Sequence, residues 1–193
     1  MKMPMNQETI WTTLERLGAV QRGHFRDGGE HTDAELGSLD PLSDPVATEA
    51  LAHELAEIAR ADTPDVILAM HGWTPLPGIL VAFRVGVELG KPIISLSDEE
   101  GIVRASRPLY RGTKAALVGE AFSIRDVSLA RAHVGQAGAS LDGVFALIDD
   151  GRAERVQGLV SFAGHRHASA TCPMCKEGHP LTEPASGSGA GRN

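Results

Sequence analysis

From Asp65 to Ile148 the chain alternates short apolar runs of strand length with longer segments of helical periodicity, a pattern satisfied by a parallel sheet flanked by helices. The run Asp65-Val66-Ile67-Leu68-Ala69-Met70 has no polar alternation, as a strand covered on both faces requires. A helix over about Ile79–Leu89 and a second run at Pro92–Leu96 complete a strand–helix–strand unit. Ala115–Val118 is a third strand, followed by a helix across Val127–Ala137, Gly143–Ile148 is a fourth, and Leu159–Ala163 adds an edge strand. The fold class is therefore α/β, a doubly wound, mostly parallel sheet. In such sheets ligands sit beyond the carboxyl ends of the strands, which selects the loops 71–78, 97–112, 119–126 and 149–153.

Ahead of this core, Ile10, Leu14 and Leu17 give the segment Gln7–Leu17 one apolar helical face, ended by Gly18. Gly23–Asp40 lacks periodicity and reads as an irregular stretch or short hairpin, a candidate binding loop. Leu51, Leu55 and Ile58 mark an amphipathic helix from Asp44 to Ala61, which Pro45 can open and Pro64 blocks. The 193 residues are 42% hydrophobic, enough for one sizeable core, so one folded unit is expected over 1–182, with a hood at about 1–42 and a core at about 43–182. The tail 183–193, rich in Ser, Gly, Pro and Ala, is expected to be disordered.

The net charge of −7 without a basic run argues against nucleic acid and for a small-molecule partner. No apolar stretch is long enough to span a membrane, and charged residues interrupt the first 30 positions, so the expected location is cytoplasmic.

Several blocks resemble orotate phosphoribosyltransferase, a type I phosphoribosyltransferase. They are Leu17-Gly18-Ala19-Val20 with Gly23-His24-Phe25 and Glu30-His31-Thr32-Asp33, then Pro64-Asp65-Val66-Ile67 before a Gly-containing loop and a helix ending in Leu89-Gly90, then Leu147-Ile148-Asp149 with Gly151-Arg152, and last Cys172-Pro173-Met174-Cys175-Lys176-Glu177-Gly178 with Pro180-Leu181. The resemblance covers about residues 7–182. It implies a small N-terminal hood on the sheet, a homodimer, and transfer of ribose 5-phosphate to orotate with Mg²⁺ if phosphoribosyl transfer is retained.

The functional loops depart from that family pattern. Family members follow the third strand with two acidic residues, which hold the ribose hydroxyls, and a Thr-Thr-Gly-type turn whose amides wrap a phosphate. Here Gly119 replaces one acid, Glu120 keeps the other, and Arg125 stands where Gly is expected, although Ser123, Arg125 and Ser128 offer side chains to an anion while Asp126 opposes it. The same segment also reads as an ordinary helix start with Ser or Asp as cap. Asp149-Asp150-Gly151-Arg152 carries Asp150 where the family has an Arg that grips the orotate carboxylate, so that orotate fits poorly. Asp98, Glu99 and Glu100 stand in the catalytic loop where a basic residue is expected, with Arg104 and Arg107 as the remaining candidate anion ligands. Trp73, between His71 and Pro75, supplies a rim for a planar ligand or simply caps the core, and His71 with Glu120 forms the candidate acid/base pair.

Cys172-x-x-Cys175 with one or two of His165, His167 and His179 has the spacing of a tetrahedral zinc site, but the family's similar tail is not generally a metal site, and no metal is assigned. The candidate set is thus Glu120 and His71 for catalysis, with Trp73, Arg104, Arg107, Ser123, Arg125, Asp126, Asp149 and Asp150 for substrate. Three readings stay open. One is a repurposed enzyme acting on a small polar, heterocycle- or nucleotide-like substrate in specialised biosynthesis. The others are a Mg²⁺-dependent phosphoribosyltransferase with an altered base and a non-catalytic binding or regulatory paralogue.

Overall fold

The computed structural model describes residues 4–27, 29–71, 75–162 and 166–182. Trp73, His165 and the tail 183–193 lie outside the described residues, as does the side chain of His71.

The chain opens with α1 (Gln7–Arg16), capped by the Asn6 side chain, which accepts from the Thr9 amide. Ile10 and Leu14 face inward, and Gly18 at φ +79° turns the chain out of the helix. The stretch Gly23–Asp40, expected to be irregular or a short hairpin, falls largely within an antiparallel ladder of β1 (Val20–Asp27) and β2 (Glu30–Leu36). α2 (Pro45–Ala59) begins at Asp44, whose carboxylate caps the Ala47 amide, and has Pro in its first turn.

The core follows as β3 (Val66–His71), α3 (Pro75–Leu89), β4 (Ile93–Glu99), β5 (Ile102–Ala105), β6 (Lys114–Gly119), α4 (Ile124–Gln136), β7 (Ser140–Asp149) and β8 (Val156–Ser161). The sheet order is β5-β4-β3-β6-β7-β8, all parallel except the edge strand β5. Alternate residues of β3 face opposite layers: Ile67 and Ala69 pack with α1, α2 and α3, while Leu68 and Met70 pack on the face covered by Val127, Ala130 and Val134 of α4.

Several boundaries differ from expectation, α4 and β7 each beginning three residues earlier than Val127 and Gly143. The helix after β3 starts at Pro75 rather than about Ile79, because Pro suits a first helical turn and the 71–78 segment is partly helix. Residues 97–112 are not all loop: β4 and β5 form a hairpin whose turn residues Glu100 and Gly101 sit at φ +55° and +89°, as a two-residue turn between twisted strands favours. Its apolar alternation is weak because β5 lies at the exposed sheet edge. The edge strand after β7 begins at Val156, earlier than Leu159.

β7 and β8 are parallel yet joined only by residues 150–155. Val144 lies beside Val156 and Asp149 beside Ser161, so the link must return by five residues of strand, roughly 17 Å. An extended connection of this length can reach that far. Gly151 and Arg155, both at positive φ, turn the chain at either end.

The last described elements are β9 (Arg166–Ala168) and a short α5 (Pro173–Lys176). β9 adds to the β1–β2 hairpin through His31↔His167, so the hood contains both ends of the described chain. Gly23 makes this close approach possible, since a Cβ there would lie 2.7 Å from Thr182 Oγ1. Among the described residues no helix is long and apolar enough to cross a membrane.

Candidate functional site

From β3 the chain crosses to β4 on one side of the sheet, and later connections build β6 and β7 on the other. The switch point therefore lies between the carboxyl ends of β3 and β6. His71 closes β3 there, in register with Ser97, and the turn after β6 supplies residues 119–123.

Gly119 has no room for the side chain that an acidic pair would require. A Cβ on it would lie 2.8 Å from Phe122 Cζ, and the Phe122 ring is itself packed into the core under α4. Glu120 is 9% exposed, and its Oε1 accepts from the Leu39 amide at 2.6 Å. The Glu120 carbonyl accepts from the Ile148 amide. Its carboxylate thus ties the hood to the strand ends, and the described geometry gives it this structural task.

Ser123 and Asp126 form a capping box at the start of α4. Ser123 Oγ accepts from the Asp126 amide at 3.1 Å, while Asp126 Oδ2 accepts from the Ser123 amide at 2.9 Å and from Ser123 Oγ at 2.7 Å. The adjacent Arg125 reaches across to the β4–β5 hairpin, where its Nε and Nη2 donate to Asp98 Oδ2 at 2.9 and 2.7 Å. Asp98 also accepts from the Gly101 amide in the hairpin turn. The Arg125 hydrogen bond, followed by that amide, holds the Asp98 carboxyl below its ordinary range.

The other candidates are also engaged locally or exposed. Arg104 donates to Glu99 within the hairpin, and Arg107 is exposed beyond β5. Asp149 accepts from the Gly151 amide, fixing the first turn of the β7–β8 link. Asp150 is buried, accepts from the Arg152 amide, and turns its carboxylate towards Arg152 Nε at 3.9 Å and Arg166 Nη2 at 4.0 Å. Arg166 also donates to the Asp150 carbonyl. Glu120, Ser123, Arg125 and Asp126 lie together beyond the carboxyl end of β6, and the structure gives each an internal partner.

A second constellation lies in the hood. His24 of β1, His31 of β2, Cys172 and Cys175 bring four ligand atoms within 4.8 Å of one another. Sequence spacing pointed to the Cys pair with His165, His167 or His179; here His167 pairs in the β2–β9 ladder, His179 offers its carbonyl to His24, and His165 lies outside the described residues. Only folding brings His24 and His31 to the cysteines, so no local spacing could reveal them. Desolvation, with His24 and Arg26 beside it, lowers the His31 pKa, whereas loss of water and the Cys172 hydrogen bond raise that of Cys175.

No family model matches the chain. The orotate phosphoribosyltransferase of Heliobacterium modesticaldum is 30% identical over 197 residues, spanning 94% of this chain and 99% of the relative. The chain belongs to the orotate phosphoribosyltransferase family. The orotate phosphoribosyltransferase of Caldanaerobacter subterraneus is 25% identical over 195 residues, spanning 94% of this chain and 98% of its own. Among solved structures, orotate phosphoribosyltransferase from Aeropyrum pernix aligns with a TM-score of 0.64 and 16% identity, covering 86% of this chain and 97% of that one. Adenine phosphoribosyltransferase from Thermoanaerobacter pseudethanolicus aligns at 0.57 and 13% identity, covering 79% and 99%. These structural likenesses establish the type I phosphoribosyltransferase fold. On that orotate phosphoribosyltransferase fold, the β6–α4 turn is the place where the family resemblance locates the phosphate cradle.

Proposed function

We propose that this family member no longer transfers ribose 5-phosphate to orotate, and that its strand-end cleft binds a small polar, heterocycle- or nucleotide-like ligand without a phosphate on the β6–α4 turn. The self-capped start of α4 carries this reading. A phosphate site at a helix start needs free amides and a favourable field, whereas Asp126 already bonds the Ser123 amide and adds negative charge. Two unit charges about 4 Å apart near a protein surface repel by roughly 4 kcal/mol at an effective dielectric of about 20.

The acidic pair supports the same reading. Gly119 offers no carboxylate, and Glu120 is bonded to Leu39, so the described residues do not fit the ribose and Mg²⁺ arrangement implied by the family. Arg125, the remaining cation of the turn, is paired with Asp98.

Thermal unfolding with Mg²⁺ and phosphoribosyl pyrophosphate, compared with orotate, nucleoside monophosphates and buffer, tests this function. A ligand at about 100 times its Kd adds roughly 2.7 kcal/mol, or about 5–10 °C for a chain of this size. The expected result is no shift with phosphoribosyl pyrophosphate and no consumption of orotate in its presence. The near-full-length alignment with named orotate phosphoribosyltransferases favours the altered-base transferase as a second reading. A saturable shift with phosphoribosyl pyrophosphate would select that reading over the first.

A further inference from the structure

We propose that His24, His31, Cys172 and Cys175 hold one Zn²⁺ ion in a tetrahedral site that fastens the C-terminal segment to the N-terminal hairpin. Zn²⁺ lies about 2.0–2.1 Å from imidazole nitrogen and about 2.3 Å from thiolate sulfur, which makes tetrahedral edges of roughly 3.3–3.8 Å. His24 Nε2 is 3.0 Å from His31 Nδ1 and 3.5 Å from each sulfur, and His31 Nδ1 is 3.1 Å from Cys175 Sγ. A small contraction or expansion of these edges encloses one ion. The two cysteines are free thiols, available to it.

The surrounding bonds orient the ligands. His24 Nδ1 lies 2.9 Å from the His179 carbonyl, which can only accept, so Nδ1 carries the proton and Nε2 presents its lone pair to the cluster. Three potential ligands crowd that lone pair within 3.5 Å. A single lone pair satisfies one donor, whereas a central cation satisfies all four converging bases at once. Further bonds hold the backbone: the His24 amide donates to Thr182 Oγ1, and the Thr182 amide donates to the His24 carbonyl.

Binding converts the two thiols to thiolates and releases two protons to water, while both imidazoles remain neutral. The resulting Zn²⁺ centre with two thiolates has no net charge, consistent with the burial of His24, His31 and Cys172. The ion then joins β1 and β2 to the segment after β9, contacts that are distant in sequence but adjacent in the hood.

The test begins with the full chain, purified in reductant, stripped by chelator and titrated with Co²⁺. One equivalent should give tetrahedral d–d bands and a thiolate-to-cobalt charge-transfer band, and Zn²⁺ should then abolish both. The C172S/C175S double variant should lose the charge-transfer band, whereas His53→Ala should leave it intact. His53 belongs to a different His–Glu group with Glu57 and Glu88, so this control separates surface binding from the hood. Absence of the charge-transfer band in folded wild-type protein, or d–d bands left unchanged in a folded H24A/H31A variant, overturns the proposal. The wild-type titration decides the matter even if the double variant does not fold.

Discussion

Replacing Asp126 by Ala separates the cap of α4 from the question of phosphate binding. The substitution removes the two bonds to Asp126 Oδ2, from the Ser123 amide and Ser123 Oγ, but leaves the backbone amide that Ser123 Oγ caps. Exposed hydrogen bonds contribute about 0.5–1.5 kcal/mol and an acid near a helix start about 0.3–1 kcal/mol, so the loss should be about 1–2 kcal/mol. For a chain of this length that lowers Tm by about 2–8 °C. The same change frees the Ser123 amide and removes the negative charge beside it. Inorganic phosphate should therefore do little to wild type but should stabilise Asp126→Ala, by about 1.4 kcal/mol at ten times its Kd. Differential scanning calorimetry across a phosphate series measures both effects, with Asp126→Asn as a control that retains an acceptor. Equal phosphate shifts in wild type and Asp126→Ala, or a variant as stable as wild type, would refute this account of the turn.

Gly119→Ala should destabilise by about 1–3 kcal/mol in urea unfolding, because its Cβ would meet Phe122 Cζ at 2.8 Å; adding Phe122→Leu should recover part of the loss. Glu120→Ala should cost about 1.5–3 kcal/mol and loosen the Leu39 amide in hydrogen exchange, whereas Glu120→Gln keeps an acceptor and should cost less. Asp98 is held below its ordinary range by Arg125, so its unfolded state binds protons first as pH falls. Its stabilising contribution is present above about pH 4–5 and disappears as pH falls through the folded value, so the wild-type advantage over Asp98→Asn in thermal unfolding should shrink across that acidic window. An advantage that stays constant into strong acid would contradict the Asp98–Arg125 assignment.

The core was legible because its strands are apolar without alternation and its helices carry caps or an apolar face. Val66–Met70 and Gly143–Ile148 could be covered on both sides only inside an α/β sheet, and the structure places them there. The β4–β5 hairpin was less visible because Ile102 and the charges around Glu100 are exposed, leaving its positive-φ turn as the clearest cue. The hood cluster was hidden for a different reason. Cys172 and Cys175 are close in sequence, but His24 and His31 reach them through long-range pairing at β1, β2 and β9.

Charges considered singly mislead at these strand ends. Arg125 suggests an anion ligand and Asp98 an anion repellent, but their two hydrogen bonds make them one link between α4 and the hairpin. Ser123 suggests a phosphate donor and Asp126 an opposing charge, yet together they complete a helix cap. An anion entering this turn would have to displace carboxylates from groups they already bond, rather than fill a ready cradle. Family membership therefore accounts for the scaffold, while these internal pairs are the ground of the proposal that the ligand at the same strand ends has changed.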